Sequence, residues 1–99
     1  MKPKKRDYTE LIECWKRRAD DGDLAAQYSL GCAYCQDDGV TQNFVLAYMW
    51  FSLAARASWF LDVDHAAHMR DLVGAALTPD ELAEAERLVR ERKPIKMEH

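Results

Sequence analysis

The sequence predicts an all-α domain of about five helices arranged as stacked hairpins. Two observations from composition and one from pattern carry this. Four glycines and three prolines leave little chain for loops, and β-branched residues are sparse. Apolar residues recur at i, i+3, i+4 and i+7 in one segment after another, which is the period of a helix face. Residue types that start and stop helices punctuate those segments. Ninety-nine residues make one domain with a modest core, and 48% apolar against 31% charged residues is ordinary for a globular chain.

Residues 1–7 read as a flexible basic arm, Lys2-Pro3-Lys4-Lys5-Arg6 at its centre. Asp7-Tyr8-Thr9-Glu10 has the pattern of a capping box and opens a helix to about Asp20. Tyr8, Leu11, Ile12, Trp15 and Ala19 form its one inward stripe, as an end helix requires. Gly22 is a stop and Asp23 an N-cap for a helix over about 24–36. That helix carries two stripes, Ala26/Leu30/Ala33/Tyr34 and Ala25/Tyr28/Cys32/Cys35, which predicts neighbours on both sides. Gly31 costs about 1 kcal/mol against alanine in mid-helix, so its use is close approach by another helix.

Residues 36–43 form a turn in which Gly39 can take a positive φ and Asn43 caps the next helix. That helix runs to about Ala57, with Phe44, Ala47, Phe51, Ala54 and Ala55 as its core stripe and Leu46, Trp50 and Leu53 beside it. A fourth helix is expected from about Trp59 or Phe60 to Ala76. Its first stripe is Phe60, Val63, Ala67 and Gly74, with Ala66, Val73 and Leu77 beside it; its second is Leu61, His65, His68 and Leu72, also expected to be covered. Thr78-Pro79-Asp80-Glu81 is a capping box with proline at the first helical position. The fifth helix then turns Leu82, Ala85, Leu88 and Val89 inward until Lys93-Pro94 stops it. The helical domain thus spans 8–93, with a full hairpin at about 22–57, capping helices at about 59–92 and a tail at 94–99.

Ala26, Leu30-Gly31, Tyr34, Gly39-Val40, Ala47, Trp50-Phe51 and Ala54-Ala55 stand in the order of a known repeat signature. On these residues the hairpin resembles the Sel-one-like repeat, a relative of the tetratricopeptide repeat, and its bacterial members in particular. Asn43 departs from the pattern, where an aspartate is common, and so does the cysteine pair on the first helix. The resemblance implies a tetratricopeptide-like α-solenoid that holds other proteins, with no catalytic residues to carry over and no cofactor.

Independent of that resemblance, the residues show no Ser/His/Asp order, no glycine-rich phosphate loop and no dinucleotide fingerprint. Cys32-x-x-Cys35 and His65-x-x-His68 supply the donor types of a tetrahedral zinc site. Both pairs sit mid-helix on apolar stripes, where buried thiols and core packing are the preferred reading. A zinc- or redox-responsive module is the alternative. Val45, Tyr48, Met49, Ser52 and Arg56 project away from the core stripe of the second hairpin helix and form a candidate partner surface, for another protein or a second copy of this chain. Cover by a neighbouring helix is the competing reading.

A net charge of −3 disfavours nucleic acid, although the basic arm keeps a nucleic-acid-associated regulator as a further alternative. Residues 1–18 hold seven Lys/Arg, whereas 19–43 hold five aspartates and no base. Met1-Lys2-Pro3-Lys4-Lys5-Arg6 is basic, but Asp7 and polar residues follow where a secretory h-region would begin, and no apolar run approaches the length of a membrane span. Three cysteines, an odd number, fit a reducing cytoplasm better than a disulfide framework.

Overall fold

Helix ends in this chain are fixed by a few side chains and one glycine. Gly22 takes φ 95°, a left-handed conformation that costs glycine little. This lets the Asp23 N–H bond the Arg18 carbonyl at 2.9 Å and the Gly22 N–H bond the Ala19 carbonyl at 3.0 Å, a Schellman closure. Asp23 Oδ1 then accepts the Ala26 N–H at 3.2 Å and starts the next helix. Asn43 Oδ1 accepts the Leu46 N–H at 3.0 Å in the same way. At the last start signal, Thr78 Oγ1 accepts the Glu81 N–H and Glu81 Oε1 accepts the Thr78 N–H, the reciprocal pair expected from the sequence.

The structure, a computed structural model, describes residues 9–37, 40–56 and 63–92. Five helices follow in order: α1 (Thr9–Asp20), α2 (Leu24–Gln36), α3 (Phe44–Ala54), α4 (Val63–Ala76) and α5 (Pro79–Glu91). The expected cap at Asp7, the expected positive φ at Gly39 and the expected start of α4 at Trp59 or Phe60 lie outside the described residues, as do the basic arm and the tail. Among the described residues of the α2–α3 turn, Asp37 is left-handed, at φ 55°. Aspartate tolerates this region because its side chain can bond locally. Asp37 Oδ1 accepts the Gln42 N–H at 3.0 Å, and Gln42 Nε2 donates to the Cys35 carbonyl at 2.9 Å.

The helices form a hairpin array centred on α3, which packs against α2, α4 and α5, while α1 packs on α2. Its sequence, FVLAYMWFSLA, contains no charged residue, and everything from Met49 to Ala54 is buried, as is Ala47. A helix apolar all round belongs inside. Ala47, Phe51 and Ala54 have no exposed surface, nor do Ala66 of α4 and Ala85 of α5, whose small side chains permit close approach. A Cβ built on Gly31 would lie 2.7–2.9 Å from three atoms of the Phe51 ring, so α2 and α3 meet where residue 31 has no side chain. Gln27 Nε2 donates to the Ala19 carbonyl at 3.1 Å and ties α2 to the end of α1. At the far end of the chain, the Arg92 guanidinium lies 4.5 Å from the Trp50 ring centroid, and its Nη1 donates to Asp20 Oδ1 at 2.5 Å.

Several inward assignments need correction. Leu11 is 42% exposed, because α1 packs chiefly on α2 and its stripe is wider than that contact. Phe44 sits at the first position of α3 and is 36% exposed at the rim. Leu82, Leu88 and Val89 are half-buried; α5 lies on α3 by one face, and Ala85 is its buried residue. The second stripe of α4 is not covered: His65 and His68 are exposed, and Leu72 is 55% exposed.

Gly31→Ala tests the close contact. Forcing a methyl into a packed site costs about 1–3 kcal/mol, and the gain in helix propensity returns about 1. Urea unfolding should therefore show a net loss of up to about 2 kcal/mol. Combined with Phe51→Leu, the loss should fall short of the sum of the two single changes, since one contact is involved in both.

Candidate functional site

The two stripes on α2 divide cleanly in space. Ala26, Leu30, Ala33 and Tyr34 face the core. Ala25 is exposed, and Tyr28, Cys32 and Cys35 are half-buried along the opposite side. Tyr28 stands at the middle of that side. Its ring meets Phe51 edge-on at 5.5 Å and His65 at 5.6 Å, so it joins the core to α4. His68 follows His65 with ring centroids 6.4 Å apart. The stripes that the sequence suggested were covered thus lie beside one another and form one open face along α2 and α4. A recess of about 150 Å³ continues the face toward α1, lined by Trp15, Tyr28, Ser29, Cys32, Ala33 and Gln36.

This face is uncharged where α2 forms it. Thirteen residues, LAAQYSLGCAYCQ, include no acid or base, yet seven are exposed or half-buried without being core. Its thiols are also quiet. Burial pushes the Cys32 thiol up from the ordinary range, and a Tyr28 hydrogen bond only partly offsets this. Cys35 is raised by burial and then by the neighbouring Cys32. Both are free thiols and half-buried, not the fully buried groups expected. The thiolate is the reactive form of cysteine, and a raised pKa leaves less of it at neutral pH. Although Cys32, Cys35, His65 and His68 sit on this side of the array, no group of three or more His, Cys, Asp or Glu among the described residues is arranged to hold a metal ion.

The other expected surface, on α3, is largely covered. Met49 is 5% exposed and Ser52 8%, while Val45 and Tyr48 are half-buried and only Arg56 is exposed. The reason is that α4 and α5 both pack on α3, which is the competing reading of this surface, cover by neighbouring helices. Met49 turns toward Leu46, Leu88 and Arg92. Tyr48 lies against Gly74, where an added Cβ would be 3.0 Å from its ring. Tyr48, Ser52 and Arg56 line a second hollow, considered below, with residues of α4 and α5. The open face on α2 was missed as a site because an apolar stripe has the same appearance whether a helix or a partner covers it.

Comparison with protein families gives a match to the Sel1 repeat over residues 24–58, which covers α2 and α3. This chain carries a Sel1 repeat. Sel1 repeats generally mediate protein–protein interaction and are typically non-catalytic. Searches of the curated proteins and of the solved structures gave no match. Among the described residues, no helix of this Sel1-repeat chain is long and apolar enough to cross a membrane.

Two outcomes check this geometry. Met49→Glu should lower stability by about 2–3 kcal/mol, since it buries a carboxylate among leucines. A variant as stable as the parent in urea would show that Met49 is surface after all. At about pH 8, Cys32 and Cys35 should alkylate several-fold more slowly in the folded chain than in denaturant, with the gap narrowing as pH rises, because burial disfavours the thiolate. Mass spectrometry of the labelled peptides reads both sites separately.

Proposed function

We propose that this chain is a non-enzymatic adaptor or small inhibitory binder of the cytoplasm, which takes a partner protein on the open face of α2 and α4. The observation that carries the reading is the absence of charge from α2 on its solvent side. Surfaces left to water normally carry charge of both signs, whereas the centres of protein interfaces are depleted in charge and enriched in tyrosine and other aromatic residues. Tyr28 offers an aromatic anchor already oriented by Phe51 and His65. The recess beside Trp15 gives an incoming side chain a place to insert. Leu72 adds exposed apolar surface at the α4 edge. Free cysteines support a reducing compartment.

Ala25→Glu with Leu72→Glu tests the face, because both positions are exposed and neither supports the core. The double variant should unfold within about 0.5 kcal/mol of the parent. Purified through a tag from its native host, it should lose the proteins that the parent retains. Retention of the same proteins at the same level would place the binding surface elsewhere.

A further inference from the structure

The hollow on the other side of α4 has a different chemistry. At 100° per residue, Arg70 and Gly74 lie nearly opposite His65, His68 and Leu72. The hollow measures about 390 Å³ and is shared by three helices. Tyr48, Ser52 and Arg56 reach it from the α3 side, Arg70 from α4, and Glu86 and Arg90 from α5. Three arginines against one glutamate leave its lining at +2, in a chain whose net charge is −3. Arg70 pairs with Asp71 at 3.0 Å. Arg56 and Arg90 have no carboxylate partner among the described residues. Ser52 is 92% buried, and its Oγ neighbours the Tyr48 hydroxyl without a hydrogen bond of good geometry to any atom. A buried hydroxyl left without a partner costs free energy unless something completes it.

We infer that this hollow is a binding site for a phosphomonoester carried on a partner protein segment, held by Arg56, Arg70 and Arg90, with Tyr48 and Ser52 also in its lining. Arginines from α4, from α5 and from the turn after α3 line one hollow, which suits a tetrahedral group with three terminal oxygens better than a planar carboxylate. A phosphomonoester carries about −1.5 to −2 at neutral pH, which balances the +2 of the lining. The site is separate from the face along α2 and does not depend on the reading given to that face.

The test is a nitrogen–proton NMR titration of the full chain with inorganic phosphate, matched in ionic strength by sodium chloride. Saturable shifts should centre on Ser52, Arg56, Arg70 and Arg90. The double variant Arg56→Gln/Arg90→Gln changes exposed residues only, so its spectrum should stay dispersed while phosphate binding weakens by at least about tenfold. Arg17→Gln on α1 should leave binding intact. A short peptide with one phosphoserine should compete for the same residues, and its serine and glutamate counterparts should not. Shifts that never saturate, that spread over all basic residues, or that survive the double variant would overturn the site. Equal binding of the glutamate peptide would overturn the phosphomonoester assignment.

Discussion

The array depends on the fit of Phe51 against the bare backbone of Gly31. Phe51 has no exposed surface, and its ring occupies the volume that any side chain at residue 31 would need. That single contact sets how closely α2 and α3 approach. The distance then decides what else can touch. Tyr28 reaches the edge of the same ring and, through His65, positions α4 along the open face. Glycine in mid-helix is unfavourable by about 1 kcal/mol, so the cost is accepted where packing returns more.

Two helices in this chain lack charge, and they lack it for different reasons. In α3 the cause is enclosure, since three helices pack on it and seven of its eleven residues are buried. In α2 one side is enclosed and the other is not. Neutrality on the enclosed side follows from folding. Neutrality on the open side does not, and it is this difference that separates a core helix from one adapted to be covered by something else.

The same difference explains what the sequence could and could not reveal. Start and stop signals act through near neighbours in the chain, so Gly22, Asp23, Asn43 and the Thr78/Glu81 pair were legible residue by residue. Gly31 was legible because its only sensible use was close contact. Cover is set by residues far away in sequence. Ala25/Tyr28/Cys32/Cys35 and His65/His68/Leu72 have the period of buried stripes, and period alone does not say whether a helix of the same chain lies on them. Met49 and Ser52 failed in the opposite direction, because α5 arrives from beyond residue 78 to cover α3. Asp37 was missed since glycine is the default expectation for a left-handed residue, and its side-chain bond to Gln42 was invisible without the turn.

Arg92 adds a consequence for kinetics. The α1–α2, α2–α3 and α3–α4 contacts join helices that are neighbours in the chain, a local pattern that closes quickly, and α5 returns to α3. Arg92 stands apart, since it reaches across Trp50 to Asp20, 72 residues away in the chain. That ion pair cannot form until the helices between its partners are in place. A contact absent from the transition state slows opening and leaves the speed of assembly unchanged. The guanidinium on Trp50 therefore acts as a late clasp, and its contribution is to the lifetime of the folded chain.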